Sequence, residues 1–254
     1  MEWIASLEVI PGTLGLFDAA LLVGVSFFTS LLTAAVGIGG GMLLLAVMAQ
    51  ILPVLAIIPV HGVVQLGSNA GRAHILRPNI DGRILLYFSV GSLVGALVGG
   101  NIVVTLPVIY LQLILAGFIL FSTWGPKPSA KTSGKNGLMI GGFLSTLLTM
   151  FVGATGPFVA VMLKRLRLDK TPQVATMAAC MSIQHALKFL VFVMLGFSFA
   201  PYAILIIVMI IVGFLGTLVG RRLLDALSEE VFSNMLKWAL TFLALRLLWK
   251  ALAL

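Results

Sequence analysis

Charge is scarce in this chain. Only 9% of its 254 residues are charged, eight of them acidic, whereas 60% are hydrophobic and the mean hydropathy is +1.16. The carboxylates are confined as well as few. Glu2, Glu8, Asp18, Asp81, Asp169, Asp225, Glu229 and Glu230 all fall at the ends of apolar runs or between them. A basic residue inside an apolar run therefore has no acidic counter-ion at its own depth, which argues against Na⁺ coupling through an acidic site. Cysteine is limited to Cys180, which excludes an internal disulfide, a two-thiol redox relay and a cysteine-rich metal centre. No basic residue precedes the first apolar run, so the positive n-region of a cleaved signal peptide is missing and that run is expected to belong to the fold. No short alternating segments of the kind that build a membrane β-barrel are present, and neither low-complexity tracts nor a soluble domain interrupt the chain.

What remains is a series of apolar runs near the roughly 20 residues that carry a helix across about 30 Å of hydrocarbon. The reading is an all-α, multi-pass membrane protein, because helices satisfy their own backbone groups in lipid. Eight hydrophobic segments are predicted, at 19–52, 55–76, 84–104, 107–124, 137–164, 173–196, 201–222 and 231–252. The stretch from Gly125 to Gly137, with Pro126, Pro128, Ser129, Ser133, Gly134 and three lysines, reads as the one linker. It divides the chain into a first repeat (1–124), a connector (125–136) and a second repeat (137–254), each with four segments. Eleven of the 16 basic residues lie in the 2/3, linker, 5/6 and 7/8 connections, which places those connections in the cytoplasm by the positive-inside rule. The net charge of +8 thus reads as orientation and not as a nucleic-acid footprint. Connections near Thr105 and Pro107, and from Phe197 to Pro201, carry no basic residue and are expected outside.

Two segments contain matching interruptions. Residues 36–41 read Val-Gly-Ile-Gly-Gly-Gly, and residues 152–157, 116 positions later, read Val-Gly-Ala-Thr-Gly-Pro. At that offset Asn69 corresponds to His185 and Arg72 to Lys188, and the Gly91, Gly95 and Gly99 ridge is answered, 121 to 122 positions on, by Gly213, Gly216 and Gly220. Paired interruptions in two halves are a sequence pointer to a transporter's binding site. The fifth segment has basic connections at both ends, which a re-entrant hairpin broken near the midplane explains. By symmetry the first segment re-enters from the outside, and an odd number of full spans per half makes the repeats inverted. Ordinary broken spans are the alternative.

The glycines have a chemical reading too. Gly37, Gly39, Gly40 and Gly41 permit positive φ and expose backbone N–H groups, and a helix starting at Met42 directs the positive end of its dipole at whatever lies there, most naturally an anion. Gly153, Gly156 and Pro157 repeat the device. Close helix packing through small residues is the other reading of these glycines, and the preferred one for the two ridges. Beside the breaks runs a polar stripe. His61, Gln65, Ser68, Asn69 and Arg72 share one helical face, as do Gln184, His185 and Lys188. Intramembrane cations of this kind line a cavity or find a partner. Arg72 offers a planar fork for a carboxylate, sulfonate or sulfite oxygen pair and Lys188 a mobile point charge, with snorkelling to the interface as the competing explanation. His185 reads as an interhelical hydrogen-bonder, a substrate contact or a proton-coupling group. Lys237, near the start of its span, reads as snorkelling, and His74 as solvated.

The Gly37–Gly41 break, the Gln65, Asn69 and Arg72 helix followed by Asn79-Ile-Asp81-Gly-Arg83, the Gly91 to Gly99 helix and the second copy from Gly153 through Gly220 together resemble the TauE/SafE family of sulfite and organosulfonate exporters. The resemblance runs from about Leu21 to Leu252. It departs from the family pattern where no proline follows Gly41 within Met42 to Ala49, and where the Asn-Ile-Asp-Gly-Arg loop has no second copy between Phe197 and Tyr202. It implies a secondary transporter, not an enzyme, that moves sulfite, sulfoacetate or a related small anion across a bacterial cytoplasmic (inner) membrane. No cofactor or metal is implied. The expected binding residues are Gly39, Gly40, Gly41, Gln65, Asn69, Arg72, Gly153, Gly156, Gln184, His185 and Lys188. The expected partners are the anion and the bilayer, with proton coupling through His185 as one of the readings left open, and no nucleic acid. A passive anion channel is the nearest alternative; an intramembrane enzyme built on His185 with Ser182 or Thr176 is the more distant one.

Overall fold

The fold is described from a computed structural model, which places residues 10–12, 14–36, 39–103, 106–125, 134–220, 222 and 229–253. Gly37, Thr105, Arg221, Asp225, the acidic Glu2 and Glu8, and residues 126–133 of the linker lie outside this set. The described residues form ten α-helices and no strand: α1 (Leu16–Val36), α2 (Gly40–Ile51), α3 (Val54–Ile75), α4 (Gly82–Val103), α5 (Val108–Trp124), α6 (Lys135–Val152), α7 (Gly156–Lys164), α8 (Lys170–Met194), α9 (Ala203–Gly220) and α10 (Glu229–Leu252). Among them, six are long and apolar enough to cross a membrane, namely α1, α3, α4, α6, α8 and α9. The predicted fourth segment is one turn short at 17 residues, and the predicted eighth carries Lys237, Arg246 and Lys250 in its helix.

The first and fifth predicted segments are each two helices. α2 starts at Gly40 and not at Met42, because Gly39 takes a φ of 99° that side chains rarely adopt and turns the chain before it. Gly153, at a φ of 73°, does the same after α6 and donates its N–H to the Thr149 carbonyl, 3.1 Å away. Pro157 then sits in the first turn of α7, where an amide hydrogen has no intrahelical partner to lose. The chain reverses at both breaks. Gly40 lies on the carbonyl of Thr29, one helix back, and Gly141 lies on the side chain of Met162. α2 ends two residues before α3 begins yet starts against Gln65, so it folds back along α3. α6, 18 residues and about 27 Å long, reaches its break only after a path close to a full hydrocarbon thickness.

Glycine decides which helices touch. A Cβ on Gly91 would fall on the Met139 carbonyl and one on Gly95 on the Phe143 carbonyl, so α4 and α6 run parallel with backbones in contact. Gly216 and Gly220 meet the Phe27 and Leu31 carbonyls in the same order, making α9 and α1 a second parallel pair. The two ridges therefore do not meet each other; each packs on the long helix of the opposite sequence half. The buried apolar residues follow this division. One cluster joins α1, α2, α3, α5, α9 and α10, and a second joins α4, α6, α7 and α8. The helices α3 and α8 bring these two bodies together.

Short polar contacts fix the joints. Asp81 accepts from the N–H groups of Arg83 and Ile84 at 2.9 and 3.0 Å, capping α4, while its own N–H donates to Thr176 Oγ1 on α8 at 2.9 Å. Lys250 Nζ donates to the carbonyl of Gln50 at 2.9 Å, in the last turn of α2. A cation there complements the negative end of the helix dipole.

Candidate functional site

The polar residues converge where the two bodies meet. On α3, the buried His61 places Nε2 2.9 Å from the Gly41 carbonyl oxygen, and Gln65 Nε2 lies 3.3 Å from the same ring nitrogen. The side chain of Asn69 turns back to donate to the Gln65 carbonyl at 2.8 Å, leaving Oδ1 directed towards Arg72 Nη1 at 3.5 Å. That distance is a marginal hydrogen bond, and Arg72 Nε is buried with no partner at all. On α8, His185 is buried beside His61, with ring centroids 6.3 Å apart and the rings edge to face. The Nδ1 atoms of both histidines are buried and unpartnered. Among the described residues no carboxylate pairs with Arg72 or Lys188.

These groups surround a cavity of about 50 Å³, lined by Gly39, Gly41, His61, Gln65, Asn69, Arg72, Gly153, Gly156 and His185 together with Thr33, Met42, Ala154, Pro157, Met177 and Met181. The first turns of α2 and α7 both border it. Helix N-termini carry partial positive charge and free N–H groups, so they add to the guanidinium in favouring an anion. A second cavity, larger at about 300 Å³ and apolar, opens beside Ile57, Ile58, Phe151 and Phe192.

Three of the residues expected at the site stand apart from the cavity lining. Gly40 is buried against Thr29 and Thr33, so it serves close packing of the hairpin. Gln184 is fully buried and bound on every side: its Nε2 donates to Ser145 Oγ at 2.6 Å and Thr146 Oγ1 at 2.9 Å, and its Oε1 accepts from Thr155 at 3.3 Å. Lys188, also fully buried, donates to Thr149 Oγ1 at 3.3 Å and to the Gly153 carbonyl at 3.2 Å. Its counter-charge is the carbonyl end of α6, and its methylenes lie on Gly62. Sequence reasoning placed His61 on the polar stripe without assigning it to the site, and passed over Thr33, Met177 and Met181. A signal for the methionines was present, since they stand 116 positions after His61 and Gln65.

The family model described as Sulfite exporter TauE/SafE matches residues 22–247. The chain belongs to this family. The match spans both hairpins and both cavities, and every residue of the polar stripe falls inside it. No curated protein and no solved structure matches the chain. As a TauE/SafE protein it is a multi-pass membrane protein of an anion-exporter family, and the two hydroxyls weighed beside His185 are both engaged in other hydrogen bonds. The Ser182 hydroxyl donates to the Ala178 carbonyl at 2.7 Å, and Thr176 accepts from Asp81.

Proposed function

We propose that this TauE/SafE protein is a secondary transporter that moves a small organic or sulfur-containing anion, such as sulfite, sulfoacetate or a related sulfonate, across a bacterial cytoplasmic membrane by alternating access. One observation carries the reading: Arg72 faces a cavity bordered by two helix N-termini, with its Nε unpartnered and no carboxylate at hand among the described residues. A guanidinium fork matches two oxygens of a sulfite, sulfonate or carboxylate. Gln65, Asn69, His61 and His185 complete the ring, and the backbone at Gly39, Gly41, Gly153 and Gly156 brings N–H groups close. The unpartnered histidine nitrogens supply places where a proton travels with the anion. A cavity of about 50 Å³ that shares no lining residue with its apolar neighbour favours a carrier over a continuously open channel.

The two sequence halves act in this reading as inverted repeats, 1–124 and 137–254 about the 125–136 connector. Support comes from α7 and α8 starting at Gly156 and Lys170, each 116 positions after the starts of α2 and α3, and from the reciprocal pairing of α4 with α6 and α9 with α1. Uptake of radiolabelled sulfite, sulfoacetate, taurine and lactate into proteoliposomes, with and without a pH gradient, tests the proposal. Saturable flux of one anion, lost in Arg72→Ala, is the expected result. No flux of any of them from folded protein overturns it.

A further inference from the structure

The two cavities share no lining residue, and the same three elements run from one to the other. Along α8, His185 lines the polar cavity and Phe192 the apolar one, with Lys188 between them. Along α3, His61 lines the polar cavity and Ile58 the apolar one. At the end of α6, Phe151 faces the apolar cavity and Gly153 the polar one. Lys188 is bonded from α8 to the Thr149 hydroxyl and the Gly153 carbonyl. The contact joins a side chain of one helix to the break in another, at a glycine whose missing Cβ allows its φ of 73° and other backbone angles besides.

We propose that Lys188 is the latch of a gate between the anion site and the apolar vestibule, and that its bonds to Thr149 and Gly153 hold the gate shut. This rests on the transport reading for its purpose, but the latch itself is a property of the empty protein. The hydroxyl and the carbonyl that bind this buried ammonium are replaceable by an anion arriving in the neighbouring cavity, since a full negative charge attracts the ammonium more strongly than a carbonyl dipole does. The anion that draws Lys188 off Gly153 thereby frees the break and opens its own way into the vestibule. The first half shows the unlatched counterpart. Thr33, 116 positions before Thr149, donates its hydroxyl to the Thr29 carbonyl at 2.7 Å, and Arg72 turns to Asn69.

Cysteine accessibility tests this without any substrate. Ala154→Cys puts a thiol in the polar cavity and Phe197→Cys puts one in the vestibule; the unaltered chain, whose Cys180 is buried, gives the background. A membrane-impermeant thiol reagent is added from the side that labels Phe197→Cys. Ala154→Cys should label slowly in the otherwise native protein, and roughly tenfold or more faster with Thr149→Val or Lys188→Met, the order expected for one charge-assisted hydrogen bond. Unchanged rates in both Thr149→Val and Lys188→Met, with Phe197→Cys labelling as before, overturn the latch. Faster labelling in a protein that moves no anion would keep the latch and sink the transport reading, and the reverse pattern would do the opposite.

Discussion

Arg72 and Lys188 occupy equivalent places in the two halves and keep different company. Lys188 sits on the carbonyl end of α6, with acceptors at 3.3 and 3.2 Å. Arg72 has one contact at 3.5 Å and a buried Nε with none. The difference follows from the side chains. A compact ammonium fits the end of a helix, where carbonyl oxygens converge, whereas a planar fork is poorly served by a single carbonyl and well served by an oxyanion. Equivalent sequence position has therefore fixed where charge is carried and not what the charge does.

The sharpest way to break this comparison is to remove each cation in turn. Arg72→Ala should lower the kcat/KM for sulfite flux by about 100-fold or more, the loss of roughly 3 kcal/mol from a charged, two-point contact. Arg72→Lys should recover only part of it. Lys188→Met should alter turnover and accessibility and lower the equilibrium affinity for the anion less than Arg72→Ala does, because the ammonium that the anion draws must first leave Thr149 and Gly153. Equal losses of affinity from both substitutions, measured by isothermal titration, would show that both cations bind the anion alike and that the asymmetry is an accident of one conformation.

The glycine ridges offer the opposite expectation, equivalence. A side chain on Gly91 or on Gly216 collides with a backbone carbonyl of the facing helix, which cannot move aside as a side chain does. Gly91→Leu and Gly216→Leu should each cost about 3 kcal/mol or more, read as loss of monodisperse protein or a drop in Tm in detergent. Gly117→Ala, with open space around it, should change little. A tolerant Gly216 beside an intolerant Gly91 would mean that only the α4 and α6 pair needs backbone contact.

A smaller contrast separates Ser68 from Gln184, again 116 positions apart. Gln184 joins α6, the break and α8 through three bonds, so Gln184→Leu should destabilise the protein by about 2 kcal/mol, because Thr155 loses its acceptor and Ser145 and Thr146 lose their donor. Ser68→Ala should cost well under about 1 kcal/mol, because the buried Ser68 hydroxyl has no hydrogen-bonded partner to lose among the described residues. Thermal unfolding of the pair checks the ratio.

Much of this was legible before the structure because it depends on period and composition. The breaks announce themselves by Gly39 to Gly41 and by Gly153 with Pro157, and the stripe from His61 to Arg72 follows from helical spacing alone. What spacing could not convey is partnership across the fold. Gln184 and Lys188 read as substrate contacts because nothing nearby in sequence could satisfy them; their partners Ser145, Thr146, Thr149 and Gly153 are more than 30 residues away. The ridges likewise gave close packing without saying against what. Carbonyls of a distant helix carry no residue-type signature, so Met139 and Phe143 are invisible as the neighbours of Gly91 and Gly95 until the chain is folded.

The same blindness explains Lys250, whose charge lies at an end of the chain that the inverted re-entrant topology leaves outside, against the positive-inside rule. Its ammonium closes the C-terminal turn of α2 through the Gln50 carbonyl, and Gln50 Nε2 in turn donates to the Leu243 carbonyl on α10 at 2.9 Å. The corresponding helix α7 needs no such loan, since Lys164 lies in its own last turn. A charge that completes a neighbouring helix is a packing element, and it need not report orientation. Lys250→Met should therefore lower stability by less than about 1 kcal/mol, the worth of a cation at an exposed helix end, and should leave the membrane topology unchanged. Reporter fusions at the C-terminus check the second part. A flipped C-terminus in Lys250→Met would show that the lysine acts as a topology signal, and that its bond to Gln50 is incidental.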